Sequence, residues 1–87
     1  MSKSVMFFKS KSCPNCKQVE PVFNETIKHY KDNISATTVD ITEDVQKAID
    51  NGVMSVPTLI FFKDDIEVKR LTGVVPKDKI IQVIEGL

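Results

Sequence analysis

Hydrophobic residues form short dense runs in some parts of the chain and spaced stripes in others, and the two patterns predict strands and helices. Dense apolar runs at 4–9 and 57–63 predict strands that are buried on both faces. A β-branched run at 35–40 predicts a third strand. Apolar and polar residues alternate at 66–71, which predicts an edge strand with one face in water. Asp64-Asp65 is expected to form a tight turn before it, so this strand and the one at 57–63 would make an antiparallel hairpin.

A long amphipathic helix is predicted from Cys13 to about Lys31. Pro14 suits its first position, because a proline has no N–H to leave unpaired there. Pro21 lies inside the helix and is expected to kink it or to remove one of its hydrogen bonds. The apolar stripe of this helix repeats at three- and four-residue steps and consists of Val19, Val22, Phe23, Ile27 and Tyr30.

Two shorter helices complete the pattern. One is expected to begin with Thr42 as its N-cap and to end at Asn51-Gly52, and the other begins at Pro76. The resulting order β-α-β-α-β-β-α predicts an α/β fold with a four-stranded mixed sheet flanked by three helices. Because the chain has 87 residues and neither a linker nor a repeat, we expect a single domain spanning residues 1–87.

The charge balance limits the classes of partner. Twelve basic and twelve acidic residues give a net charge of zero, whereas nucleic acid and anionic lipid both require an excess of Lys and Arg. No apolar run approaches the roughly 20 residues that cross a membrane. The first residues also lack the long apolar stretch of a signal peptide. We therefore expect a cytoplasmic protein, without nucleic-acid or membrane partners, whose thiols stay reduced.

The only two cysteines, Cys13 and Cys16, are separated by two residues. A disulfide between them closes so small a loop that it would stabilise the fold little. A zinc site needs about four ligands, and the one other strong ligand, His29, lies far along the same helix. The sequence therefore predicts no metal site and no cofactor other than the cysteine pair itself.

The placement of the pair indicates thiol–disulfide exchange. Cys13 falls at the start of a helix, where unpaired backbone N–H groups and the helix dipole stabilise an anion such as a thiolate. Cys16 lies one turn further on, within reach of the first sulfur. We predict that Cys13 is the exposed nucleophile and that Cys16 is the shielded resolving thiol. Additional positive potential is expected from three lysines near the motif, Lys9, Lys11 and Lys17.

These residues together resemble the thioredoxin family. The motif Cys-Pro-Asn-Cys follows a buried strand and opens a helix, as in that family, and the resemblance extends over nearly the whole chain. It implies the minimal thioredoxin fold, reduction of protein disulfides, a thioredoxin-reductase-like electron donor and a monomeric protein. Further matching positions are Lys17, Pro21, the segment Val56-Pro57-Thr58 and Gly73.

The resemblance also implies where a substrate binds. Pro57 would follow a cis peptide bond, and the backbone of Val56 would pair with an extended segment of the substrate, as in β-augmentation. The surface apolar residues Met54 and Val74 are equally compatible with a docking patch and with ordinary loop packing. The substrate-binding residues implied by the resemblance are Pro14, Asn15, Val56, Pro57 and Gly73.

Some positions depart from the thioredoxin pattern. Ser12 replaces a Trp, and Pro14-Asn15 replaces Gly-Pro between the cysteines. Phe7 stands where thioredoxins bury an Asp, and we expect Ala36 to replace the lysine partner of that Asp. Because the Asp is thought to help deprotonate the second cysteine, we hypothesise that deprotonation of Cys16 relies here on water or on the departing thiolate.

Two alternative functions stay open. A glutathione-linked, glutaredoxin-like reductase is suggested by the length of the chain, although Leu71-Thr-Gly-Val-Val lacks the Gly-Gly then Asp pattern that glutaredoxins use for glutathione. A redox-sensing adaptor would keep the cysteines without catalytic turnover. The sequence leaves the reduction potential, the natural substrate and the identity of the electron donor undetermined.

Overall fold

The order of helices and strands agrees with the sequence prediction. A computed structural model describes residues 2–87, so Met1, which the expected domain 1–87 includes, lies outside the described residues. The elements are β1 (Lys3–Lys9), α1 (Pro14–His29), β2 (Ser35–Asp40), α2 (Val45–Asp50), β3 (Thr58–Lys63), β4 (Ile66–Thr72) and α3 (Lys77–Glu85).

The four strands form one mixed sheet in the order β2-β1-β3-β4. β1 and β2 are parallel, as a βαβ unit requires, and the other two neighbouring pairs are antiparallel. β4 is an edge strand, as predicted. The hairpin between β3 and β4 turns at Asp64 and Asp65, whose φ angles of 52° and 69° suit a two-residue turn that follows the twist of the strands.

Side chains on the two faces of the sheet form two hydrophobic clusters. β1 contributes to both, because successive residues of a strand point to opposite faces. The larger cluster joins the sheet to α1 and α3, and the rings of Phe7 and Phe23 lie 5.1 Å apart within it. The smaller cluster, on the other face, contains the buried residues Phe8, Val39 and Ile60.

The long helix α1 ends at His29, two residues before the predicted end. Val19 and Phe23 from the predicted stripe are buried, while Ile27 and Tyr30 pack only partly against the core. Thr26 is fully buried as well, and its hydroxyl donates to the Val22 carbonyl at 2.7 Å, which satisfies the polar group. The helix continues through Pro21 and lacks the hydrogen bond that a residue with an N–H would make there.

The predicted N-cap of the second helix, Thr42, is wrong. Asp44 caps α2, and its carboxylate accepts a hydrogen bond from the Lys47 N–H at 3.0 Å. Thr42 instead donates through its N–H and its hydroxyl to the Asp40 carboxylate, and these bonds hold the pKa of Asp40 below its usual value. A carboxylate two residues upstream therefore competes successfully for Thr42. The end of α2 at Asn51-Gly52 is confirmed.

Truncating the core beneath α1 should strongly destabilise the protein. We expect Phe23→Ala to lower the free energy of unfolding by about 3–5 kcal/mol, because it leaves a cavity against Phe7. The matched control is Val45→Ala on α2, where the side chain is 57% exposed and the change should be below about 1 kcal/mol. Urea denaturation measures both, and equal losses of stability would contradict the assignment of the core.

Candidate active site

Cys13 caps the N-terminus of α1 with its sulfur. Its backbone is extended, with φ −103° and ψ 104°, and its Sγ accepts a hydrogen bond from the Cys16 N–H at 3.0 Å. The first N–H groups of a helix have no partner within it, so a sulfur here fills the role that a Ser or Asp oxygen usually plays. Pro14 follows in the first helical position, as predicted. Negative charge on the Cys13 sulfur is therefore stabilised by the helix end.

Cys13 and Cys16 are joined by a disulfide bond. Their Cα atoms lie 5.2 Å apart, a separation that one helical turn provides and that is ordinary for a disulfide. Cys13 is 8% exposed and Cys16 is 1% exposed, so Cys13 is buried rather than exposed as predicted, although it is still the outer of the two. An attacking or leaving group therefore has to approach from the side of Cys13.

The positive potential around the motif is smaller than three lysines would give. Lys9 is paired with both carboxylate oxygens of Glu20, at 2.9 and 3.0 Å. Lys11 is paired with Glu43 at 2.7 Å, and this hydrogen bond raises the pKa of Lys11. Within residues 2–87, Lys17 is the member of this group that makes no ion pair. The helix end and Lys17 therefore supply most of the local positive charge.

The remaining predicted site residues lie at the same end of the sheet as the motif. β1 ends there and leads to Cys13, antiparallel β3 begins there after Pro57, and β4 ends there before Gly73. The Gly73 N–H donates to the Pro57 carbonyl at 2.9 Å, so these two residues are in direct contact. The Val56–Pro57 peptide bond is cis.

The exposure of these residues differs. Pro57 is buried, Val56 and Gly73 are half-buried, and Pro14 and Asn15 are exposed in the first turn of α1. Gly73 has a φ of +82°, a conformation that favours glycine because it lacks a Cβ. The structure thus brings Pro57 and Gly73 together and places the two cysteines at the same end of the sheet.

Sequence reasoning missed Arg70, which anchors the segment before Pro57. Its guanidinium donates to the carbonyl oxygens of Asn51 at 2.7 Å and Gly52 at 3.2 Å. Glu67 orients it with two further bonds, at 2.8 and 2.9 Å, which raise the pKa of Arg70 and lower that of Glu67. Arg70 therefore fixes the end of α2, from which the segment 53–57 begins.

A bulge in β4 makes this arrangement possible. Phe61 pairs with Lys69 and Phe62 pairs with Glu67, so Val68 is an extra residue in the ladder. In a regular strand, residues three apart point to opposite faces. One inserted residue turns Glu67 and Arg70 to the same face. The alternating pattern of β4 does not mark the bulge, so no signal in the sequence pairs these two residues.

Two apolar side chains are exposed at this end of the molecule. Met54, in the segment before Pro57, is 98% exposed, and Val74, directly after Gly73, is about half exposed.

No group of three or more metal-binding side chains occurs in the part of the chain that the structure describes. In residues 2–87, no helix combines the length and the apolar character needed to cross a membrane.

Comparison with known proteins identifies the family. The Thioredoxin family model matches residues 2–86. The chain belongs to the thioredoxin family. It is 37% identical to a thioredoxin of Staphylococcus saprophyticus over 73 residues, which cover 84% of this chain and 70% of that protein. It is 36% identical to thioredoxin 1 of a Nostoc species over 73 residues, covering 84% of this chain and 68% of the relative.

Solved thioredoxin structures share the fold. Oxidised thioredoxin O2 from Arabidopsis thaliana superposes with a TM-score of 0.86 at 31% identity, over 99% of this chain and 75% of that one. A mutant thioredoxin from Halobacterium salinarum gives a TM-score of 0.90 at 26% identity, over 98% and 74% of the two chains. The predicted thioredoxin fold is thus confirmed. As a member of this family with a Cys-x-x-Cys pair, the protein is a protein-disulfide oxidoreductase.

The residue of β2 directly opposite Phe7 is uncharged, although Asp40, two residues further along β2, lies on the same face. Phe7 is fully buried. The register of the parallel pair places Thr38 directly opposite Phe7, whereas Ala36 is opposite Val5. Because residues two apart share a face, Ala36 is a diagonal neighbour of Phe7 on the same face. The correspondence of Ala36 with the family's lysine stays a prediction.

Removing the Arg70 side chain should loosen the segment before Pro57. We expect Arg70→Ala to speed hydrogen exchange of the Gly52 and Val53 amides by about tenfold, because two carbonyls and Glu67 lose a charged donor. Lys69→Ala is the control, since it removes the same charge from the same strand without touching these carbonyls. NMR or mass spectrometry measures the exchange, and the rates in Lys69→Ala should equal those of the wild-type protein. Similar rates in the two variants would contradict the role of Arg70 in holding this segment.

Proposed function

We propose that this protein reduces disulfide bonds of other proteins, with Cys13 as the nucleophile and Cys16 as the resolving thiol. The observation that carries the proposal is the Cys13 sulfur at the N-terminus of α1, which accepts the Cys16 N–H at 3.0 Å. The deeper burial of Cys16 supports the division of roles. A sulfur in this environment is stabilised as a thiolate, the form that attacks disulfides.

The reaction proceeds in two exchanges. The Cys13 thiolate attacks one sulfur of the substrate disulfide, forms a mixed disulfide and releases the other sulfur as a thiolate. The Cys16 thiol loses its proton and attacks Cys13 Sγ. The second substrate sulfur then leaves, and the Cys13–Cys16 disulfide forms. The substrate gains two electrons, one proton from Cys16 and a second proton from water. A reductase must return two electrons to this disulfide before the next cycle.

The substrate is proposed to lie across the end of the sheet. An extended segment would pair with the backbone of Val56, in the manner of β-augmentation. Met54, three residues before Pro57, and Val74, directly after Gly73, are both exposed. They support this placement because they offer apolar contact without selecting a particular sequence. The residues proposed to contact the substrate are Pro14, Asn15, Val56, Pro57 and Gly73.

The family and the net charge of the chain support a proposal for its electron donor and its cellular location. The electron donor would be a thioredoxin-reductase-like flavoprotein, and the chain would act in electron transport as a cytoplasmic monomer with one domain. Bacterial thioredoxins among the relatives support this setting. The zero net charge gives no basis for nucleic-acid binding. A glutathione-linked reductase is not favoured, since the similar proteins are thioredoxins.

Single-cysteine variants test the roles. Reduced Cys16→Ser should form a mixed disulfide with insulin or another disulfide protein and fail to release it, because no second thiol is present. Cys13→Ser should form no such adduct and show no turnover. Non-reducing electrophoresis and an insulin reduction assay measure both outcomes. Full turnover of Cys16→Ser with glutathione would instead indicate a glutaredoxin-like reaction, and an inactive wild-type protein would indicate an adaptor.

The reduction potential tests the direction of electron flow. We expect a potential near about −270 mV or below, as is typical of thioredoxins that act as reductants. Titration of the cysteine pair against dithiothreitol or glutathione buffers, followed by mass spectrometry of alkylated thiols, gives the value. A potential between about −180 and −120 mV would mark an oxidant or isomerase and would reverse the proposed direction.

A further inference from the structure

The second exchange requires a place for the proton of Cys16. Cys16 is 1% exposed, so bulk water reaches its sulfur poorly. Its backbone N–H is directed at Cys13 Sγ and therefore stabilises the first sulfur rather than the second. Phe7, fully buried in β1, offers no acceptor. A nearby carboxylate would remove this obstacle, because a thiol attacks a disulfide only as a thiolate.

Glu20 is the acidic residue closest to Cys16 along α1. It follows Cys16 by four residues, a spacing that makes side chains neighbours on a helix surface. Long side chains in a helix extend back toward its N-terminus, which for Glu20 is the direction of the turn that contains Cys16. The first turn of α1 itself contains no acidic residue.

Lys9 holds this carboxylate on the inner side of α1. It is the last residue of β1 and shares a sheet face with Phe7, which contacts Phe23 of α1. Both Glu20 oxygens lie within 3.0 Å of Lys9 Nζ. The side chains of Lys9 and Glu20 are only 25% and 30% exposed. The ion pair therefore bridges the end of β1 and α1, where these elements flank the cysteine motif.

The other charged groups near the motif lie on other elements than Cys16 or have the wrong charge. The neighbouring strand β2 contributes Asp40, opposite Lys9, but its carboxylate accepts two bonds from Thr42. Glu43, in the turn before α2, is paired with Lys11. On α1, Lys17 is a cation and cannot accept the proton. From α3, Lys77 is paired with Glu25.

We propose that Glu20 is the proton acceptor for Cys16, positioned by Lys9. The inference rests on the proposed two-cysteine exchange. The Cys16 thiol gives its proton to the Glu20 carboxylate, directly or through one water, and the resulting thiolate attacks Cys13 Sγ. The bond between Cys13 and the substrate sulfur breaks, and the departing thiolate takes up the proton from Glu20. Glu20 is thus restored, and no further reactant is needed.

Stopped-flow kinetics separates the two exchanges. Reduced protein is mixed with a fluorescently labelled disulfide peptide between pH 5 and pH 9, so that attack by Cys13 and release by Cys16 give successive phases. In Glu20→Gln, we expect release at pH 7 to slow by about tenfold or more and its pH midpoint to rise. The attack phase should keep its wild-type rate and pH dependence.

Glu25→Gln is the matched control. Glu25 lies on the same helix and is also ion-paired, with Lys77 at 2.8 Å, but it is nine residues beyond Cys16. This variant should release substrate at the wild-type rate. Equal release rates in Glu20→Gln, Glu25→Gln and the wild-type protein would overturn the proposal.

A second variant covers the case in which Glu20→Gln does not fold. Lys9→Met keeps the carboxylate but removes its positioning partner, and the rate of release should fall relative to the rate of attack. An unchanged release phase in a folded Lys9→Met protein would count against positioning by Lys9. A wild-type protein without an attack phase would refute the proposed function itself. A normal attack phase with unaffected release in Glu20→Gln would refute only the role of Glu20.

Discussion

The N-terminus of α1 is the feature on which the rest of the site depends. The N–H groups at a helix start lack partners within the helix, and Cys13 Sγ accepts one of them, from Cys16, at 3.0 Å. This helix end has a fixed place because Val19 and Phe23, further along α1, are buried against the sheet. The hydrophobic core therefore determines where the sulfur lies, although no core side chain takes part in the chemistry.

The opposite side of the site depends on hydrogen bonds to the backbone as well as on packing. The segment 53–57 is held at its start by Arg70 and at its end by the bond from Gly73 to Pro57. Arg70 belongs to β4 and Gly73 directly follows it, so this edge strand supplies the hydrogen bonds at both ends of the segment. Val53 and Val56 also pack partly against the smaller hydrophobic cluster, whereas Met54 is almost fully exposed.

Local patterns explain what could be predicted from the sequence. Burial periodicity and helix-end signals act over a few residues, so the order of elements and the position of Cys13 at a helix start were predictable. Long-range pairing was not. Arg70 and Glu67 share a face only because of a bulge between them. The ion pair of Lys9 with Glu20 joins two elements whose relative orientation cannot be read from the sequence. The register of β2 against β1 was undetermined for the same reason.

The presence of Phe7 in the core limits which group can accept the proton of Cys16. Full burial of a Phe side chain stabilises a fold by about 1.5–3 kcal/mol, whereas a buried carboxylate costs several kcal/mol unless it is paired. In a chain of 87 residues, with a modest core, the apolar choice is favoured. With Glu20 as the acceptor, the charge lies at the edge of the core, 30% exposed and paired with Lys9. Salt screens such a partly solvated charge more than a buried one, so proton transfer at this site becomes sensitive to ionic strength in a way that a buried acid would not be.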